Sequence, residues 1–513
     1  MVTLPEAIPE PLPDAEGISQ YNMAGGLFRG RGMWLLILRS GAGVRRTGQK
    51  DEGQMRETIR KKVMADKQEY IPRQVKHAPL YELEQVDDLG ISPLYKVRVD
   101  GKRADVFGNE FFHFAVLVYD RKEQIREVEV TVLDEFETAK IRPSFAGISF
   151  EKDNQVLKFR LPAGKRVVLE IDDDLLCPLY LLQTERVERP GNTSYEFQKG
   201  SVYNIDTLEL KTGDVVYIEE GAVVSGRIWS RMADHIRIVG NGILYGGNWH
   251  KWNENGAEQM LVTILGKDIE IRGITLLDGG SWHVVPTACE DVRIDDINVL
   301  GKVITGDGID IVGCKDVTVR NCFVRANDDC ISVKAEEFQD PSGCADVKHI
   351  LVEDCLFWNA EFGNVLEIGY ETRCDEISDV VFRRCEILHC EYEGNQSGGV
   401  LTIHNADRAF VHDIHYEDIR IEDAQEKFID IKTLDSKYSR DRSRGMICDI
   451  RFKNIEITEG MFPVSIVRGF EMKNEVYRPH DLYFENIVIH GKKMACVNDM
   501  RMVKELSDGF HFV

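Results

Sequence analysis

The chain has 513 residues, 43% of them apolar, enough for a sizeable core but too many for one ordinary domain. Its 64 basic residues face 87 acidic ones, and the formal net charge of −23 works against phosphate backbones and anionic lipid surfaces, so no nucleic-acid or membrane partner is expected. No run approaches the roughly 20 apolar residues of a membrane span, and Met33-Trp34-Leu35-Leu36-Ile37-Leu38 is too short for a signal-peptide core; without an export signal a cytoplasmic location is expected, or a secreted one if the start is misassigned.

Residues 1–70, Pro-rich at Pro5, Pro9, Pro11 and Pro13 and then Gly/Arg-rich and charged, lack sustained periodicity and read as an irregular N-terminal extension. Across 75–185 short alternating runs recur between turn signals, among them Tyr95-Lys96-Val97-Arg98-Val99, Phe114-Ala115-Val116-Leu117-Val118, Val128-Glu129-Val130-Thr131-Val132 and Val167-Val168-Leu169-Glu170-Ile171. Period-two runs spaced this closely predict a small antiparallel β-sandwich.

Residues 190–513 carry one recurring pattern: apolar, any, polar or Gly, apolar, any, apolar. It reads Ile271-Arg272-Gly273-Ile274-Thr275-Leu276, Ile294-Asp295-Asp296-Ile297-Asn298-Val299, Val319-Arg320-Asn321-Cys322-Phe323-Val324 and Val352-Glu353-Asp354-Cys355-Leu356-Phe357, and returns from Phe382, Tyr416, Phe452 and Phe484 at intervals of 23 to 36 residues. Each copy is too short to bury its own apolar face, so the copies must stack, and a strand-only repeat of this period predicts an all-β, parallel β-solenoid. Cys322, Cys355 and Cys385 fall where other copies have isoleucine and read as small core side chains rather than disulfide partners. No Cys/His spacing of zinc type occurs, so neither a metal nor a cofactor is expected.

A second strand precedes the first in several copies: Gly308-Ile309-Asp310-Ile311-Val312, Cys330-Ile331-Ser332-Val333-Lys334, Val365-Leu366-Glu367-Ile368-Gly369, Phe428-Ile429-Asp430-Ile431-Lys432 and Pro463-Val464-Ser465-Ile466-Val467. Alternation points Ile309, Ile311, Ile331, Val333, Leu366, Ile368, Ile429 and Ile431 inward. Asp310, Ser332, Glu367, Asp430 and Ser465 then form an outward row, a candidate floor for a groove. Aligning these strands puts Asp307 and Asp329 in register, with Asp328 beside them. Coils about 4.8 Å apart crowd these carboxylates at one spot, and crowding raises at least one pKa, giving the protonated acid and ionised base that glycoside hydrolysis needs. The alternative is that Asn327-Asp328-Asp329 is a turn, for which Asn and Asp are suited; the third aspartate one coil earlier favours a catalytic cluster.

Thr305-Gly306-Asp307-Gly308-Ile309-Asp310 and Asn327-Asp328-Asp329-Cys330-Ile331, with 21 residues from Asp307 to Asp328, resemble the Asn-Thr-Asp and Gly-Asp-Asp-Cys signatures of the polygalacturonase family of glycoside hydrolases. Gly240-Asn241-Gly242-Ile243-Leu244 and the Trp249 and Trp252 segment are similar to that family's early coil, and the resemblance spans about residues 200 to 490. It implies a right-handed parallel β-helix, a carbohydrate substrate and an inverting mechanism, with Asp328 as general acid and Asp307 and Asp329 activating water. Two places depart from the family pattern. Asn364 replaces the histidine of Gly-His-Gly, and Asp430-Ile431-Lys432 keeps only the lysine of Arg-Ile-Lys, the pair expected to hold a uronate carboxylate. The altered segment and the preceding sandwich are closer to the dextranase family, which cleaves neutral glucan. Trp282, His283, Asp310, Lys334, Asn364, Glu367, Tyr370, Lys432 and Arg468 are the candidate substrate-binding residues, Glu367 being also a reserve catalytic candidate. A polysaccharide lyase, which needs a Lys or Arg base and often calcium, and a non-catalytic carbohydrate-binding solenoid are the competing readings.

Overall fold

The structure is a computed structural model in which residues 78–79, 89–109, 111–122, 124–247, 258–336, 345–360, 362–391, 398–425 and 427–513 are described. The N-terminal extension and the Trp249 and Trp252 segment lie outside the described residues. Residues from Pro72 to Val513 make one compact unit that contains both the sandwich strands and the solenoid.

In Tyr95–Val99 the tyrosine and valines are buried while Lys96 and Arg98 are exposed, the period-two pattern of a strand covered on one face. This strand joins a five-stranded sheet facing a six-stranded one, and Val97, Val130, Leu157 and Leu161 meet Ala115, Leu117, Leu169 and Leu181 between them. The pairing is antiparallel except that Leu179–Glu185 runs parallel to His113–Tyr119. Parallel pairs occur where both faces are covered. Leu179 and Leu181 face the sandwich core, whereas Tyr180 and Leu182 face the solenoid.

The solenoid is a right-handed parallel β-helix, a single 31-stranded ladder whose strands stack on three faces. The first face includes Val284–Pro286, Ile309–Val312, Ile331–Ala335, Asn364–Thr372, Gly399–Asn405, Lys427–Thr433 and Val464–Arg468. The second includes the strands from Lys267–Arg272 to His480–Ile489, and the third includes Thr275–Leu277, Asn298–Leu300, Phe323–Ala326 and Leu356–Asn359. The polar-or-Gly position of the repeat is the corner between the second and third faces. Gly273, Asp296, Asn321, Asp354, Asp418, Asn454 and Asn486 all have φ between +52° and +77° there, a region glycine, Asn and Asp tolerate best. The amides also bond along the axis, Asn486 to Asn454 at 3.0 Å and Asn454 to Asp418 at 2.8 Å.

The next repeat position points inside. Ile274, Ile297, Cys322, Cys355, Cys385, Ile419, Ile455 and Ile487 are all buried in one core, and the cysteines among them are free thiols. One strand beside them, Phe382, Tyr416, Phe452, Phe484 and Phe512 stack with ring centroids 4.8–5.1 Å apart. The eight residues expected to point inward on the first face lie in the same core.

Two features of the first face differ from expectation. Strand Gly399–Asn405, which the sequence reading passes over, forms a full coil between those of Glu367 and Asp430. Ser465 pairs with Ile429 rather than Asp430 because the register shifts between Lys427 and Ile429. A one-residue slip exchanges the faces of a strand, so Ser465 is buried with Val467, and Ile466 stands opposite Asp430 in its place.

The sandwich lies on the third face, where Phe112, Phe114, Tyr180 and Leu182 pack against Leu277, Leu300, Phe323, Trp358 and Leu388. Polar anchors frame this contact. Buried Arg166 donates to Asp296 at 2.7 Å, to Asn298 at 2.7 Å and to the Asn321 carbonyl at 2.9 Å. Arg142 donates to Glu170 at 2.6 Å and to Glu422. The sandwich thereby covers the third face and leaves the first to the chemistry.

Candidate active site

Asp307 and Asp329 each stand two residues before a first-face strand, and the pairing of Ile309 with Ile331 brings them side by side. The Gly308 N–H donates to the Asp329 carbonyl at 2.8 Å, locking the two coils at this point. Asp307, Asp328 and Asp329 each place a carboxylate oxygen within 4.8 Å of the others. Asp307 and Asp329 are buried, and Asp328 is half-buried. Among the described residues this is the one group of three or more His, Cys, Asp and Glu whose atoms approach closely enough to share a metal ion, and an ammonium lies against two of its three members.

That ammonium is Lys334, at 3.0 Å from Asp307 Oδ2, 3.0 Å from Asp310 Oδ1 and 3.9 Å from Asp329 Oδ2. It also sits 4.0 Å above the ring of the half-buried Trp282. The Asn364 backbone N–H and its side-chain Nδ2 both donate to Asp329 Oδ1, at 2.9 and 2.8 Å. Asn364 thus sets the rotamer of one carboxylate. Asn359 Nδ2 donates to the Asp328 carbonyl at 2.8 Å, and the Asp329 N–H donates to Asp328 Oδ1 at 3.1 Å. His283 is fully buried behind the cluster. Its Nε2 accepts the Gly279 N–H at 3.1 Å, so Nδ1 carries the proton donated to the Asp307 carbonyl at 2.7 Å. Burial lowers its pKa to about 4, which keeps this neutral form. His283 therefore acts on the Asp307 backbone, from a place that no sugar reaches.

Burial, then the charges of Asp307 and Asp329, pushes the Asp328 carboxyl well above the usual range. Asp329 and Asp310 are raised in the same way by burial and by Asp307, against the pull of Lys334. A proton is therefore retained in this cluster at pH values where isolated carboxylates have lost theirs.

The outward row continues as a buried ladder rather than an open floor. Ser332 donates to Asp310 at 2.5 Å, Ser332 pairs in register with Glu367, Glu367 with Thr402, and Thr402 with Asp430. All five side chains are buried. Glu367 accepts from Thr402 Oγ1 and lies 2.9 Å from His404 Nδ1, whose Nε2 is 3.3 Å from Asp430 Oδ2. Lys432 and Lys427 reach Asp430 at 2.7 and 3.3 Å. Tyr370 lies half-buried over this network, stacked on His404 with centroids 4.4 Å apart and 5.5 Å from the Tyr438 ring. Arg468, the exposed continuation of the Lys432 row, pairs with Glu505 at 2.8 Å.

The structure thus brings Trp282, His283, Asp310, Lys334 and Asn364 to the three aspartates, gathers Glu367, Tyr370 and Lys432 into a neighbouring cluster, and leaves Arg468 at the far end of the face. His404, Thr402 and Asn359 were not anticipated. The alternation in Val400-Leu401-Thr402-Ile403-His404 is the signal that marks the first two as outward neighbours of Glu367 and Asp430.

The model of the family described as glycosyl hydrolases family 28 matches residues 232–505. An exopolygalacturonase of Zea mays is 27% identical over 238 residues, 43% of this chain and 54% of that relative. A probable polygalacturonase of Vitis vinifera is 30% identical over 105 residues, 20% of this chain and 21% of the relative. The chain spans about half or less of the length of these curated relatives. Dex49A from Penicillium minioluteum has a similar fold, with a TM-score of 0.59 at 13% identity over 83% of this chain and 95% of that one.

Proposed function

Because the chain belongs to glycosyl hydrolases family 28, we propose that it hydrolyses the glycosidic bonds of a galacturonate polysaccharide, with Asp328 as general acid and Asp307 and Asp329 activating water. The observation that carries the reading is the convergence of three carboxylates, the half-buried one of which is raised well above the carboxylate range. In the reaction Asp328 gives its proton to the leaving glycosidic oxygen as the bond to the anomeric carbon breaks. Water held by Asp307 and Asp329 loses a proton to that pair and attacks the anomeric carbon. Galacturonate is supported by the names of the relatives, exopolygalacturonase and probable polygalacturonase. Inversion is supported by the family rather than by the spacing, since oxygens within 4.8 Å are closer than the roughly 6.5–9.5 Å common among inverting carboxyl pairs.

A neutral glycan is the second reading. It is favoured by Asp430, an acid with Lys427, Lys432 and His404 gathered around it, at the place where a uronate-binding arginine is expected. Incubation with polygalacturonate and with neutral glucans separates the two. Polygalacturonate is expected to give new reducing ends of inverted configuration by early-time NMR, and glucans none. Unsaturated ends would make the protein a lyase, a retained anomer would exclude inversion, and release from glucan alone would overturn the galacturonate assignment.

A further inference from the structure

We propose that Lys334 is a positioning residue that sorts the protons of the catalytic centre, favouring negative charge on the carboxylates it pairs with so that Asp328, which it does not pair with, is the one readiest to keep a proton. The inference deepens the reading of the aspartates given above and rests on it.

Ser332 and Lys334 share the outward side of strand Ile331–Ala335 by alternation. From there the lysine chain runs back towards the start of the neighbouring strand, and its ammonium ends between Asp307 Oδ2 and Asp310 Oδ1, at 3.0 Å from each. Its side chain is only 5% exposed. Turning out to meet a sugar carboxylate would take the cation from two buried carboxylates, a costly change. The Trp282 ring under the ammonium fixes it from the other side, and Ser332 holds the far partner, Asp310.

Three carboxyls thus surround one cation with a fourth beside them, and the four are not equivalent. Asp307, Asp310 and Asp329 are the ion-pair partners of Lys334, and Asp328 is not among them. Coulomb attraction at these distances favours negative charge on the oxygens nearest the ammonium. The charge of Glu371 also acts on Lys334 and that of Glu367 on Asp329; both add negative potential and therefore favour retention of a proton somewhere in the group. The group with least access to the cation is the readiest to retain it. Asp328 is also the half-buried member of the catalytic three, the one able to present a proton outward. Asp310 has no place among the reacting atoms in this scheme. It competes for the ammonium and so limits how far Lys334 depresses the water-activating pair.

Opposite signs test the scheme. The pH profile of kcat/KM on polygalacturonate is measured for Lys334→Met, Lys334→Arg and Asp310→Asn, with circular dichroism confirming the fold. Lys334→Met is expected to move the acid limb up by about one pH unit or more, a tenfold change in the protonation ratio. Asp310→Asn, which frees the ammonium for the other two, is expected to move it down, and Lys334→Arg to restore most of the native profile. The double variant Lys334→Met/Asp310→Asn removes cation and competing anion together; it keeps the test open if Lys334→Met does not fold, and its limb is expected above the native one. Limbs that coincide with the native one, or that move in the same direction for Lys334→Met and Asp310→Asn, would overturn the proposal.

Infrared difference titration of aspartate labelled with carbon-13 at the carboxyl gives a readout that needs no turnover. A protonated-carboxyl band at neutral pH should vanish in Asp328→Asn and spread over further carboxyls in Lys334→Met. Absence of turnover on polygalacturonate would refute the functional reading alone, whereas a band unaffected by Asp328→Asn would refute the proton assignment.

Discussion

Gly363 lies against the Asp328–Asp329 peptide so closely that a β-carbon on it would stand 2.5 Å from the Asp329 amide nitrogen and 2.6 Å from Asp328 Oδ1. Its φ of +73° adds a second demand for glycine. The glycine belongs to the coil after the aspartates, so the position of the catalytic carboxylates depends on a missing side chain one turn away.

Gly363→Ala is therefore expected to displace the Asp328–Asp329 peptide rather than merely strain a loop. A shift of about 1 Å at reacting groups costs on the order of 10²-fold in rate, while strain at one backbone position costs about 1–3 kcal/mol. Steady-state kinetics beside thermal melts would show activity falling far more than stability. A variant with normal kcat would mean that the aspartates tolerate the intrusion.

How much of this was legible follows from which physical signals are local. The corner position of the repeat was readable because only a few residue types tolerate positive φ, and Asp296, Asn321 and Asn454 announce it directly. The approach of Asp307 to Asp329 was readable because register follows from the inward residues Ile309 and Ile331. The burial of Asp310, Glu367 and Asp430 was not, since alternation gives the side of a strand and says nothing of what covers that side. Strand Gly399–Asn405 escaped because its outward Thr402 and His404 are followed by Asn405, all polar, and the intervals between the repeat copies vary anyway. Ser465 was assigned to the wrong face because a bulge near Lys427 leaves no mark in composition.

His404 supplies a pH prediction with a definite sign. Glu367 and Asp430 raise its pKa to about 9 against the opposing effect of burial. The ordinary value is about 6.5. A folded pKa above the unfolded one gives stability that is fully present below pH about 6.5 and lost as pH rises through about 9. The difference amounts to on the order of 3 kcal/mol, a value for a fully buried group. Urea midpoints of the native protein should fall between pH 6.5 and 9.5, and those of His404→Gln should start lower and stay flatter over that range. Parallel curves for the two proteins would remove His404 as the cause.

The cysteine column makes a chemical prediction. Cys322, Cys355 and Cys385 are free and buried, and the Cys322 N–H points to Cys355 Sγ at 3.4 Å. Burial pushes the Cys322 and Cys355 thiols well above their ordinary range, so the reactive thiolate is disfavoured in the folded protein. Thiol counts in denaturant should be equal with and without reductant, and among the described cysteines the folded protein should react chiefly at the exposed Cys496. A large rise on reduction would reveal disulfides incompatible with this core.

Asp328→Asn is expected to abolish most turnover and leave the fold in place. The amide keeps the shape and can still accept the Asp329 N–H, but it has no proton to deliver to the leaving oxygen. Loss of general acid catalysis costs about 10²–10⁴-fold in rate. Stability should move the other way. A carboxyl whose folded pKa is raised, here by burial and the charges of Asp307 and Asp329, favours the fold when protonated and opposes it as pH climbs through that raised value. The melting temperature of Asp328→Asn should thus match or exceed the native one at neutral pH, with the gap widening as pH rises. Kinetics and melts on the same samples decide the assignment. If Asp328→Asn keeps near-native activity while Glu367→Gln is dead, the general acid belongs to the Glu367–His404–Asp430 cluster instead.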